Sequence, residues 1–298
     1  MTGLWYSMNY LERLAPILFL LMWSSGAIFV KMGLENASVW SFLTLRATGA
    51  FLLMGVIYLC FKINSKTKLT PSILARVVVT GLLLQVFYQA FYFLSIRYEL
   101  SPGLVSIVLG LQPIMTILFG GDKASPYKLL ILLIGFSGLG LAIFGAKDVS
   151  QVTPLGVSFA ILSVMAISIG SLFQKTIPMT PLESGMLQNG CASIVFVATS
   201  LIIGWHVNWS PNFVFSLSWM IVVVSTGAVL LLFYMIQRNS ASKVSVLFYL
   251  VPILTMFFDF IIFDTEITTT TIMGALIVIA SIKLFSLPSR RASEKMLS

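Results

Sequence analysis

From residue 184 to residue 237 the chain carries no Asp, Glu, Lys or Arg. One helix cannot account for so long a stretch, and a water-facing fold cannot hide it. Soluble domains carry about 25% charged residues, whereas this chain of 298 residues carries 9%, with 58% hydrophobic residues and a mean hydropathy of +1.00. Lipid is therefore the solvent to reason with, and ~20 apolar residues per helix is the unit of construction.

Apolar runs of that length recur over residues 14–30, 39–61, 73–96, 102–121 and 127–146, then 154–174, 182–204, 214–236, 244–263 and 269–287. The uncharged stretch divides at residues 205–212, where Trp favours the membrane interface and Pro and Asn favour turns. Nothing alternates with period two in ten-residue blocks, as an outer-membrane barrel requires. Continuous runs that satisfy their own backbone bonds are helices. The expected fold is an all-α membrane protein of ten transmembrane helices.

Lys and Arg set the orientation. With the N-terminus in the cytoplasm, fourteen basic residues fall inside, only Lys31, Arg97 and Lys147 fall outside, and Arg46 lies within a helix. Both termini are expected in the cytoplasm, and the net charge of +8 reads as an orientation signal, including the basic tail 288–298. No nucleic-acid partner is expected, because the bases form no amphipathic or aromatic-interleaved face. One histidine and two cysteines make neither a structural zinc site nor a disulfide scaffold, so no metal or cofactor is expected. Cys60 and Cys191 sit in apolar runs and read as small buried hydrophobes. The first run reads as a retained signal anchor in a bacterial inner (plasma) membrane.

The halves 14–146 and 154–287 repeat each other weakly, in register. Gly26 to Lys31 parallels Gly170 to Lys175; Val105-Ser106 and Pro113 to Thr116 parallel Val244-Ser245 and Pro252 to Thr255. Arg97 and Arg238 each follow an aromatic stretch. Five helices per copy is an odd number, so the second copy enters the membrane from the opposite side. Two inverted five-helix repeats suit alternating access to a midplane site.

The sequence also resembles the EamA-type transporters of the drug/metabolite transporter superfamily, over about residues 14–287. The resemblance rests on Trp23-Ser24-Ser25-Gly26, Arg46, the Pro113 and Pro252 helices, and Gly135 and Gly274 after them. The family's Gly-Glu-Arg-like turn takes the form Gly121-Asp122-Lys123, about one helical turn early, and Asp264-Thr265-Glu266 in the second copy lacks the basic residue. The resemblance implies secondary transport, usually export, of small metabolites or drugs.

A carrier needs a few polar side chains facing inward, since lipid-facing ones are costly. Tyr88 and Tyr92, four apart, share a helical face beside a Gln85/Gln89 stripe. Gln112 stands next to Pro113, and Tyr249 near Pro252; both prolines are candidate hinges. Trp23 is a candidate stacking platform. Arg46, roughly 10 Å into its helix at 1.5 Å per residue, carries an insertion cost of about 2.5–3.5 kcal/mol and can hold a carboxylate or phosphate, or serve as scaffold. Asp259 is the acid inside a span, a candidate proton or cation site if it faces inward.

The expected function is export of a small metabolite, an amino acid or related zwitterion first, with a coupling proton or ion and a homodimer as open partner assignments. The alternatives are export of amphipathic cations or drugs, or flipping of a lipid- or nucleotide-type solute. An intramembrane enzyme is not expected: the sole histidine, His206, lies in a connecting segment and no Gly-x-Ser-x-Gly occurs. Nor is a channel, since no filter-like run is present.

Overall fold

A computed structural model describes residues 2–61, 67–100, 102–120, 126–144, 153–239, 241–263 and 268–286. Among these described residues the ten helices are α1 (Thr2–Leu34), α2 (Val39–Cys60), α3 (Pro71–Arg97), α4 (Pro102–Leu109 and Gln112–Gly120) and α5 (Pro126–Phe144). Then follow α6 (Pro154–Lys175), α7 (Pro181–Ile203), α8 (Pro211–Arg238), α9 (Ala241–Ser245, Val246–Tyr249 and Leu250–Phe263) and α10 (Thr269–Ser286). α1, α2, α3, α6, α7 and α8 are each long and apolar enough to cross a bilayer; α5, α9 and α10 are shorter apolar helices. The chain is an integral membrane protein.

The helix starts are written locally. Thr70-Pro71, Thr153-Pro154, Thr180-Pro181 and Ser210-Pro211 each put a hydroxyl at the N-cap and a proline at the first helical position. The hydroxyl accepts an otherwise orphan backbone N–H, and the proline supplies a suitable φ without wasting a donor. α7 adds a full capping box, with Glu183 reaching back to the Thr180 backbone.

Two features depart from uniform helices. α3 widens into a π-helical stretch at Leu82–Phe87, and α8 does so at Met220–Ala228. α4 is interrupted at Gly110 and Leu111, and α9 tightens to a 3₁₀ turn at Val246–Tyr249. The sequence predicted kinks at Pro113 and Pro252 inside continuous helices. Instead the irregularity lies just before each proline, which stands in the first turn of the segment starting at Gln112 or Leu250. The turns at 121–125 and 264–267, and the tail 288–298, lie outside the described residues.

Four pairings hold the bundle: α1 with α8, α3 with α6, α2 with α7 and α5 with α10. Without a hydrophobic force between helices in lipid, close backbone approach and hydroxyl bonds do this work. Between α2 and α7, Thr44 bonds Ser200 at 2.8 Å and Thr48 bonds Ser193 at 2.6 Å. Between α5 and α10, Gly138 and Gly274 meet so closely that a Cβ on Gly274 would lie 2.5 Å from the Gly138 carbonyl oxygen. These glycines thus serve contacts within one subunit. Ser163 of α6 donates to the Tyr88 carbonyl of α3 at 3.1 Å. Trp219 of α8 donates to Ser25 of α1 at 2.9 Å, and the Ser216 hydroxyl donates to the Phe29 carbonyl.

Loops clasp each other at both ends. At one end Ala37 and Val207 form an antiparallel bridge, with Ser38 N–H on the His206 carbonyl at 3.0 Å and Asn208 N–H on the Asn36 carbonyl at 2.7 Å. At the other, Thr67 donates to the Pro178 carbonyl at 2.5 Å and Gln237 to the Met179 carbonyl at 2.5 Å.

Candidate functional site

Helices α1, α2, α3, α4, α8 and α9 line a narrow cavity with room for about 30 Å³. Of the seven side chains singled out as substrate contacts, five meet on its wall: Trp23, Arg46, Tyr88, Gln89 and Tyr92. The three rings form a continuous panel. Trp23 stacks on Tyr88 at 6.1 Å with 17° between planes, and Tyr88 neighbours Tyr92 at 6.0 Å. Phe19 and Phe248 pack behind Trp23 at 5.2 and 5.4 Å and fix its plane.

Arg46 is 4% exposed. Its Nε donates to Ser225 Oγ at 2.6 Å, one Nη to Gln89 Oε1 at 2.6 Å, and its guanidinium lies 5.7 Å from the Phe93 ring centre. Each bond from a charged donor contributes about 1.5–3 kcal/mol, enough together to offset the insertion cost. Both acceptors are neutral, and no acid lines the cavity among the described residues. Because the Gln89 carbonyl oxygen faces Arg46, its amide N–H₂ is turned away from it. Ser225 belongs to the π-helical stretch of α8, whose Met220 and Val224 also line the wall.

Two expected contacts lie elsewhere. Tyr249 is fully buried against α5, its hydroxyl donating to the Leu132 carbonyl at 2.8 Å and its ring filling the notch at Gly135. Gln112 is buried off the cavity wall, with its Oε1 lacking a partner among the described residues. In α4 the wall is built before the interruption, by Ser106 and Leu109; in α9 it is built by Val251 and Thr255, flanking Pro252. Neither Pro113 nor Pro252 lines it. Gln85 also stays off the wall although Gln89 is on it, because the π stretch between them breaks the i, i+4 register. The side chain of Asp259 lies outside the described residues. Lys175 donates to the Gln237 carbonyl at 2.6 Å, an end-of-helix contact.

Sequence reasoning missed Ser225, Phe93, Val224 and Thr255. An isolated serine or valine in an apolar span carries no signal; only the depth of Arg46 announces that some acceptor must face it.

The sequence matches the model of the EamA-like transporter family twice, over residues 13–144 and 154–287. An archaeal protein of Archaeoglobus fulgidus, named an uncharacterized transporter, is 25% identical over 297 residues, covering 93% of this chain and 98% of its own. The uncharacterized transporters YvbV and YoaV of Bacillus subtilis (strain 168) are 24% identical over 72% of this chain and 23% identical over 88% of it. A solved crystal structure superposes with a TM-score of 0.75 at 15% identity, covering 94% of this chain and 98% of that one, which is a likeness of fold.

Proposed function

Given that the chain belongs to the EamA-like transporter family, and is thus a membrane transporter, we propose that it is a secondary carrier moving a carboxylate-bearing metabolite of amino-acid size through the cavity between α1, α2, α3, α4, α8 and α9. The observation that carries this reading is Arg46, a buried cation on the wall of an aromatic-lined chamber, held by neutral oxygens. The Trp23–Tyr88–Tyr92 panel and the guanidinium suit a solute with an apolar body and an anionic end.

Alternating access in the proposal rests on an inverted repeat, with 14–146 and 154–287 as its halves. The supporting pattern is reciprocal: α1 packs on α8 as α6 packs on α3, while α2 with α7 and α5 with α10 pair like with like. Such exchange is what a two-fold relation between five-helix copies produces, and an odd helix count puts that axis in the membrane plane. The wide turns of α3 and α8 and the interruptions of α4 and α9 fall at corresponding places in the two copies. Both termini are then cytoplasmic, the membrane is the inner (plasma) membrane, and export is the direction.

Counterflow in proteoliposomes tests the proposal. Preloaded amino acids are expected to accelerate uptake of a labelled one; exchange of hydrophobic cations with no amino acid or carboxylate exchanged refutes it.

A further inference from the structure

We infer that the cavity recognises the carboxylate end of its solute alone, so that its preferred ligand class is an apolar or aromatic monocarboxylate anion, and an α-ammonium group weakens binding. The inference rests on the carrier reading above and narrows its substrate.

A guanidinium has five N–H donors and no acceptor. Two of Arg46's are spent on Ser225 and Gln89, and the other three have no partner among the described residues. The Gln89 carbonyl oxygen is consumed by Arg46, leaving the amide N–H₂ as what that side chain offers a solute. Trp23 contributes an indole N–H, a donor only. The hydroxyls of Tyr88 and Tyr92 line the same cavity as the guanidinium with no hydrogen bond to a described residue, as does that of Ser24, and each can donate to a solute or accept from it. Thr255 has its hydroxyl proton committed to the Ser24 carbonyl at 3.2 Å. Among the described residues the wall therefore offers unspent N–H donors at Arg46, Gln89 and Trp23, hydroxyls that serve either way, and one positive charge.

A carboxylate is the complementary group. It is acceptor-only, with about four lone-pair sites, and takes an arginine fork bidentately. An ammonium is the reverse: three donors and a charge like that of Arg46, in a chamber whose dielectric is low. Tyrosine and tryptophan faces attract cations, but here they stand next to a cation already in place. One guanidinium with neutral neighbours matches one negative charge, which favours a monoanion over a phosphate dianion. The stacked rings take the apolar body.

The test uses the full-length protein in detergent and in liposomes, with three probes sharing one ring: 3-phenylpropionate (anion), L-phenylalanine (zwitterion) and phenethylamine (cation). The neutral 3-phenylpropanamide and sodium chloride at matched ionic strength serve as references. Binding is read from intrinsic tryptophan fluorescence and from thermal stabilisation. The anion is expected to bind at least about tenfold more tightly than the zwitterion, with the cation weakest. Arg46→Gln is expected to cost the anion roughly 30-fold or more while leaving the neutral amide within a few-fold, which also shows that the variant is folded. If that variant does not fold, Tyr92→Phe and Gln89→Glu provide the second reading. The first removes one donor and weakens the anion selectively; the second supplies a charge to Arg46 and abolishes anion preference. L-phenylalanine or phenethylamine binding as tightly as the acid overturns the inference and leaves the carrier standing. Chloride alone reproducing the whole response overturns the carboxylate class. Silence from every charge class overturns both the inference and the carrier reading.

Discussion

Gly274→Ala isolates a backbone-to-backbone contact between α10 and α5. A Cβ there would lie 2.4 Å from the Ala142 backbone nitrogen, 2.5 Å from the Gly138 carbonyl oxygen and 2.7 Å from the Ala142 Cα. All three are backbone atoms, so no rotamer change relieves the clash and α10 must move off α5 by about 1 Å to restore ordinary contact. Overpacking of this kind costs about 1–3 kcal/mol, with the rigid neighbours placing it toward the upper end. Alanine's better helix propensity returns about 0.8–1 kcal/mol. The net expectation is a loss of about 1–2 kcal/mol. Gly140→Ala is the matched control: it stands on the same helix pair with nothing within 4 Å, so it takes the propensity gain without the steric cost. The two alanines are therefore expected to shift stability in opposite directions, read as apparent melting temperature in detergent and as the denaturant midpoint. Equal shifts of the same sign would refute the assignment of α5–α10 as a backbone-to-backbone contact.

Tyr249→Phe deletes the bond to the Leu132 carbonyl and is expected to cost about 1 kcal/mol of stability with transport rates unchanged; a transport defect at full expression would return this ring to the solute path. Tyr92→Ala removes a cavity wall ring and is expected to lower transport severalfold without loss of membrane expression, checked by counterflow against the amount of reconstituted protein. Cys60, exposed at the end of α2, tests the orientation: a membrane-impermeant maleimide is expected to label it in inside-out vesicles and not in right-side-out ones, and the reverse pattern would invert the topology.

The apolar runs located the helices well because hydropathy and helix length are both local. The division of the uncharged stretch fell where α7 ends at Ile203 and α8 begins at Pro211, and depth within a span was enough to send Arg46, Tyr88, Tyr92 and Trp23 to one cavity. The failures are rotational. Tyr249 and Gln112 were attractive because each neighbours a proline, but proximity to a break along the axis says nothing about azimuth, and both side chains turn away from the cavity. Gln85 was misplaced for a related reason: a π turn adds a residue to the register and leaves no trace in hydropathy. Ser225 was illegible because it lies 179 positions from Arg46, so only tertiary structure brings them together.

The paired loop clasps bear on how such a bundle can move. α7 is anchored at Pro178 and Met179 before its first turn and at His206 after its last, and α2 lies along it, stitched by two hydroxyl pairs. A rod pinned at both tips and glued to its neighbour is a poor lever but a good axle. Any rocking that exposes the chamber to first one side and then the other is thereby left to the helices around it, and freezing those clasps with engineered cross-links should leave turnover intact where cross-links across α1 and α8 would stop it.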